Sequence, residues 1–229
     1  MPGHLCRFIH GSLSSILLLG ILGGCSQNGP SGKDIPLFVQ IFDGGSFAGW
    51  EGNLDWFRTE GNAIVGGSLK REIPHNMFLT TVQEYSDFEL RLKVKLQGDL
   101  ERANAGIQVR SRRIKDHHEM VGYQADMGQQ YWGCLYDESR RNKVLAEPDR
   151  GDLAQVLELN EWNEYIVRCE GKRIQLWING FQTVDYTESD SDIEQRGLIG
   201  LQIHKGPPME ASYKEIEVKV LNPTTSENS

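Results

Sequence analysis

The sequence predicts an all-β domain built as a two-sheet sandwich, and three observations carry that prediction. Short runs with a two-residue period recur between residues 37 and 221, with almost no sustained helical period among them. Turn chemistry separates the runs: Glu60-Gly61-Asn62, Glu170-Gly171-Lys172 and Asn179-Gly180 stand where hairpins turn, the last being the strongest hairpin signal in the chain. The runs are numerous and locally connected, so two sheets facing each other bury them best, one face packing the core and a concave sheet free to hold a ligand.

Strands are expected over residues 38–42, 56–59, 63–65 and 78–81, where aromatic or β-branched residues gather between glycine and Asn/Asp turns. Residues 88–96 alternate most regularly, Phe88, Leu90, Leu92, Val94 and Leu96 against Glu89, Arg91, Lys93 and Lys95. Further strands are expected over 106–112, 121–127, 133–137, 162–169, 173–178, 181–186, 197–203 and 213–221. The connection 137–160 carries charges, Pro148 and Gly151 but little strand character, and reads as an ordered surface loop beside the site, with one short helical turn within 152–157.

Three runs place unusual residues on one face. Gly106, Gln108 and Arg110 alternate with Ile107 and Val109; Gly122, Gln124 and Asp126 alternate with Tyr123 and Ala125; Gly200, Gln202 and His204 alternate with Ile199, Leu201 and Ile203. Solvated outer faces of antiparallel strands commonly carry polar residues. Those faces favour Lys, Glu and Thr, however, whereas planar amides and a guanidinium beside glycine suit vicinal sugar hydroxyls, with glycine keeping a groove open. The pool for chemistry is Glu89, Arg110, Gln124, Asp126, Tyr136, Glu138, Arg141, Gln202 and His204. Each has a plainer role: Glu89 as a paired strand residue, Arg110 with Asp126 as a cross-strand ion pair, Tyr136 as a core aromatic. Trp132, Trp177 and His117-His118 offer stacking contacts, although tryptophans in a sandwich are more often core and rim residues. On a strand the adjacent imidazoles of His117 and His118 would point apart, which disfavours a shared metal.

The chain opens with Arg7, an apolar run at 16–22 (ILLLGIL) and Leu22-Gly23-Gly24-Cys25. This resembles a bacterial lipoprotein signal peptide over residues 1–24, which implies export and lipidation of Cys25, with 25–36 as a flexible tether. The apolar run is too short for a permanent spanning helix. Residues 37–221 form the one domain, and 222–229 (NPTTSENS) read as a frayed tail. The net charge is −8, with no basic block, which argues against nucleic acid as a partner. Cys134 and Cys169 remain as a disulfide or as two buried thiols. No Cys/His spacing suggests zinc and no cofactor is expected, though a divalent metal held by carboxylates such as Asp126 or Glu138 stays open.

Several segments, in order, resemble the 3-keto-disaccharide hydrolase domain: 37–50 (LFVQIFDGGSFAGW), Phe88-Glu89-Leu90, Asn104-Ala105-Gly106-Ile107, 122–126 (GYQAD), 135–138 (LYDE), 162–165 (WNEY), Ile178-Asn179-Gly180 and 197–207 (GLIGLQIHKGP). The middle position of Asn104-Ala105-Gly106 is more usually Ser in that family. The resemblance implies a concanavalin A-like, laminin G-like jelly roll that cleaves glycosides oxidised at C3, in exported lipoproteins. Carried onto this chain, it implies His204 or Glu138 as base and Asp126 as acid or orienting group. Glu89, Asn104, Gln108, Arg110, Gln124, Tyr136, Arg141 and Gln202 would bind substrate. The alternatives are a non-catalytic carbohydrate-binding lipoprotein, an ordinary glycosidase with paired carboxylates, and a structural envelope lipoprotein.

Overall fold

Fifteen strands run through residues 37–221, the part of the chain that the computed structural model describes. The expected signal peptide, the Cys25 lipid site, the tether and the tail lie outside the described residues. In chain order the strands are β1 (Val39–Gln40), β2 (Trp50–Gly52), β3 (Phe57–Glu60), β4 (Ala63–Ser68), β5 (Met77–Tyr85), β6 (Phe88–Gly98), β7 (Ala105–Arg113) and β8 (Met120–Met127). They continue with β9 (Leu135–Glu138), β10 (Lys143–Ala146), β11 (Asn163–Glu170), β12 (Arg173–Ile178), β13 (Phe181–Thr187), β14 (Gly197–Ile203) and β15 (Met209–Val220). Every run expected from the sequence contains a strand. The hairpin signals hold as well: Gly61 and Asn62, and Asn179 and Gly180, all take positive φ, the left-handed pair that a tight two-residue hairpin needs.

Two antiparallel sheets face each other. The first has the order β13-β12-β11-β6-β15-β4-β3, with β1 also paired to β15; the second runs β10-β9-β8-β7-β14-β5-β2. Two strands were not expected. β2 is three residues between glycines with one apolar side chain, too short to show a period. β10 lies inside the connection expected as a loop, pairing Lys143 with Asp137 and Val144 with Tyr136. The short helix α1 (Arg150–Leu153) follows, begun by Asp149, whose carboxylate accepts from the Gly151 and Asp152 amides. Among the described residues no helix is long and apolar enough to cross a membrane.

The core between the sheets is apolar, with Phe88, Leu90, Leu92, Ile107, Val109, Leu176, Ile199 and Leu201 all fully buried. Two tyrosines of the first sheet cross it. The Tyr165 hydroxyl donates to the Asp126 carbonyl at 3.2 Å and the Tyr213 hydroxyl to the Gln202 carbonyl at 2.7 Å, so β8 and β14 are held from beneath where their outward side chains matter. Cys134 and Cys169 are both free and buried, and burial raises both thiols above their ordinary range.

Arg110 departs from the expected face. β7 carries one extra residue against β8 between Val109 and Arg112, and Arg110 takes φ 49° at this bulge, so its side chain leaves the Gly106/Gln108 series. It is buried and donates to the Ser86 and Gly171 carbonyls, to Gln195 Oε1 and to the Asp87 carboxylate, all at 2.6–2.9 Å. It ties loops together rather than meeting a ligand. Replacing Arg110 with Met strands these acceptors, and the urea midpoint should fall by the equivalent of about 3 kcal/mol.

Candidate active site

Antiparallel register brings the three polar series onto the outer face of the second sheet. One row across it reads Tyr136, Gln124, Gln108, Gly200 and Thr80; the next reads Asp126, Gly106, Gln202 and Phe78. The glycines do not keep a groove open. A Cβ at Gly106 would lie 2.6 Å from Gln124 Cδ, and one at Gly122 2.2 Å from Ser111 Oγ, so the space is already filled by neighbouring polar side chains. Gly106 allows Gln124 to lie flat against the sheet and reach Asp126. Gly106→Ala should therefore displace Gln124, a movable side chain, and break its hydrogen bond to Asp126 with the fold retained; a crystal structure of the variant with Gln124 unmoved would contradict this placement.

The opening lies at one end of this face. A cavity of about 300 Å³ is lined by Asn104, Gln124, Asp126, Gln129, Tyr131, Tyr136, Glu138 and His204. β7 is preceded by Asn104 and β14 followed by His204, and the His204 amide donates to the Asn104 carbonyl at 3.1 Å, which fixes the two side by side. β9 supplies Tyr136 and Glu138 on alternate positions, with Leu135 and Asp137 turned inward. His204 Nδ1 lies 2.7 Å from the Lys205 carbonyl, an acceptor only, so Nδ1 carries the proton and the neutral ring keeps its lone pair on Nε2.

Two carboxyl groups share the cavity wall. Burial raises Asp126 well above the ordinary carboxylate value; the Gln124 amide, donating to Oδ1 at 2.6 Å, works against this, and the neighbouring Glu138 adds to it. Burial, then Glu119, raise Glu138 to about 7, with the Ser139 amide opposing and Asp137 adding to the rise. The Tyr136 hydroxyl is raised by burial and by Glu138 and Asp126, so it stays a neutral donor. One carboxyl is thus poised near neutrality beside another kept protonated, a division suited to a base and an acid. Among the described residues no three His, Cys, Asp or Glu side chains are grouped to hold a metal ion.

The structure gathers Asn104, Gln124, Asp126, Tyr136, Glu138 and His204 from the expected set and places the rest elsewhere. Glu89 lies on β6 in the other sheet, bonded to Arg91 and Arg168. Arg110 is spent on loop carbonyls, as described above, and forms no ion pair with Asp126. Arg141 is bound to Asp137 and, through both terminal nitrogens, to Glu188. Gln108 lies on the correct face but is fully buried, bonded to Gln124 and Ser111 rather than exposed to a ligand. Gln202 is likewise fully buried two pairs behind the Asn104/His204 wall, its amide without a partner among the described residues. Trp132 is a core residue, and Trp177 sits on the outer face of the first sheet. His117 and His118 stack at 4.3 Å instead of pointing apart, because they occupy the β7–β8 turn and not a strand.

Two lining residues were missed. Gln129 and Tyr131 stand on a single 3-10 turn directly after β8, entered through Gly128 at φ 103°. The polar-aromatic GQQY segment following GYQAD was the available signal.

No curated protein matches the sequence. Solved structures share the fold. A candidate glycosyl hydrolase from Parabacteroides distasonis superposes with a TM-score of 0.61 at 16% identity, covering 81% of this chain and 94% of that one. The carbohydrate-binding module CBM66 from Bacillus subtilis gives 0.58 at 15% identity over 75% and 95%. A beta-glucanase from Bacillus licheniformis gives 0.55 at 12% over 82% and 98%. At these identities the likeness is one of architecture, the two-sheet jelly roll of concanavalin A-like proteins. The sequence model of the 3-keto-alpha-glucoside-1,2-lyase-like domain matches residues 37–219, nearly the whole described domain, and the chain belongs to that family.

Proposed function

We propose that this domain cleaves 3-keto-glycosides by elimination followed by hydration. The observation that carries the reading is the pair Glu138 and Asp126 on one cavity wall, one near neutrality and the other held protonated, beside the Tyr136 hydroxyl and the Asn104 amide. A ketone at C3 acidifies the C2 proton. Glu138 removes it; the electron pair passes into the C3 oxygen, where Tyr136 and Asn104 donate. The C3 carbonyl then re-forms, the C1=C2 bond closes, and the C1 oxygen leaves with the aglycone, taking a proton from Asp126. Water adds at C1 and a proton returns to C2, so the net change is hydrolysis. His204 offers Nε2 to a sugar hydroxyl.

Incubating the protein with a 3-keto-glucoside in deuterated water tests this. Deuterium at C2 of the product, beyond exchange of the product alone, is expected; cleavage without it indicates direct displacement, and binding without cleavage indicates a carbohydrate-binding module. The proposal also keeps residues 1–24 as an export signal and Cys25 as a lipid site, which would put the domain in a bacterial cell envelope. Palmitate labelling that is lost in Cys25→Ser is the expected result.

A further inference from the structure

Behind Asp126 runs an unbroken line of buried side-chain hydrogen bonds. Ser111 Oγ lies 2.6 Å from Gln108 Oε1; Gln108 Nε2 donates to Gln124 Oε1 at 2.6 Å; Gln124 Nε2 donates to Asp126 Oδ1 at 2.6 Å. Asp126 is 3% exposed, Gln124 2%, and Ser111 and Gln108 are fully buried. The line needs all its local oddities. The β7 bulge brings Ser111 to the Gln108 side, Gly122 leaves room for its hydroxyl, and Gly106 leaves room for Gln124 to lie across the sheet.

The direction of the line matters more than its length. A serine hydroxyl has one proton, and the shortest of the three acceptors around Ser111 Oγ is Gln108 Oε1, with the Val109 and Tyr123 carbonyls at 3.0 and 3.3 Å. With that proton on Gln108 Oε1, each amide in turn must accept through oxygen and donate through nitrogen. Asp126 Oδ1 is therefore an acceptor, and Oδ2 takes part in no side-chain hydrogen bond among the described residues, on a carboxyl that lines the cavity.

We propose that Ser111, Gln108 and Gln124 form a polarised relay that fixes the acid proton of Asp126 on Oδ2, the oxygen left free for a ligand in the cavity. Ser111 and Gln108, fully buried and away from the cavity lining, are positioning residues that act through Gln124. Reversed, the same atoms would put the Asp126 proton on Oδ1, pointing away from the leaving group. The proposal rests on Asp126 being the acid, and it can be tested with and without turnover.

Without turnover, the infrared band of the protonated Asp126 carboxyl is read in protein carrying carbon-13 aspartate, with Asp126→Asn identifying the band. A carbonyl oxygen that accepts from Gln124 absorbs at lower frequency than a free one. The band should rise in Gln108→Met and Gln124→Met; a band that stays put, or falls, overturns the relay even if no substrate is ever turned over. With turnover, Gln108→Met should lower kcat about tenfold for 3-keto-glucosides with alkyl aglycones, leave KM within twofold, and spare nitrophenyl aglycones, which leave without a proton. Equal losses on both aglycones would mark a merely structural role and refute the proposal. If Gln108→Met does not fold, Ser111→Ala, which removes one oxygen atom, carries the same two readouts.

Discussion

With Asp126 as the proposed acid, Asp126→Asn should lower kcat/KM for an alkyl 3-keto-glucoside by about 10²–10⁴-fold, the usual contribution of a positioned general acid. The substitution keeps shape and can still accept from Gln124 through its amide oxygen, so the loss reports the missing proton and not a disturbed sheet. Burial is the largest influence on this carboxyl and Glu138 adds to it, so wild-type Asp126 keeps its proton well above the ordinary carboxylate range. Rate should then fall on the alkaline side as Asp126 gives up its proton, and this descending limb should be absent from the residual activity of the variant. The sign for stability is opposite to that of an ordinary surface aspartate. A carboxyl raised in the folded state stabilises the fold at low pH and loses that contribution as pH climbs through the raised value, so Asp126→Asn should be the more stable protein at high pH. Rates against pH together with urea midpoints at two pH values check both statements; full activity toward alkyl aglycones in the variant would remove Asp126 from the mechanism.

The parts of this site that could be read from the sequence are those governed by the strand period. Gly106 with Gln108, Gly122 with Gln124 and Asp126, and Gly200 with Gln202 and His204 do share one face, because antiparallel register preserves a two-residue period from strand to strand. Arg110 failed for the converse reason. A bulge inserts one residue without any local composition signal, and everything beyond it changes sides. Glu89 obeys the period, but on β6 in the other sheet, a fact of topology that alternation does not encode. Arg141 is drawn away by Asp137 and Glu188, the latter contributed from a distant part of the chain. Glycine was read as open space; in the fold it is space that a neighbouring glutamine or serine takes up. Tyr131 was missed because a single 3-10 turn has no period to display.

Glu138→Gln removes the proposed base, and kcat/KM should drop by about 10²–10⁴-fold on all aglycones alike, since C2 deprotonation precedes departure of the leaving group. That aglycone independence separates it from Asp126→Asn and from the relay variants. In the wild type the base must be ionised, and burial with Glu119 raises Glu138 to about 7, so kcat/KM should climb about tenfold per pH unit toward 7 and level off above it. Because Glu138 and Asp126 influence each other, the two limbs belong to the pair: the acid limb disappears in Glu138→Gln, and the alkaline limb shifts down, since the variant no longer places a negative charge beside Asp126. Stability moves the other way from activity. The folded state prefers protonated Glu138, so this group's contribution is complete below about 4.5 and is lost as pH rises through about 7. Glutamine cannot ionise; the variant should match the wild type at pH 4 and exceed it at pH 8 by about 1–2 kcal/mol, after allowance for solvent screening at this partly exposed position. A variant that is inactive, matches the wild type at pH 4 and is the more stable protein at pH 8 would carry the signature of a carboxylate held in place for chemistry, whereas equal stability at both pH values would mean that Glu138 is not poised near neutrality.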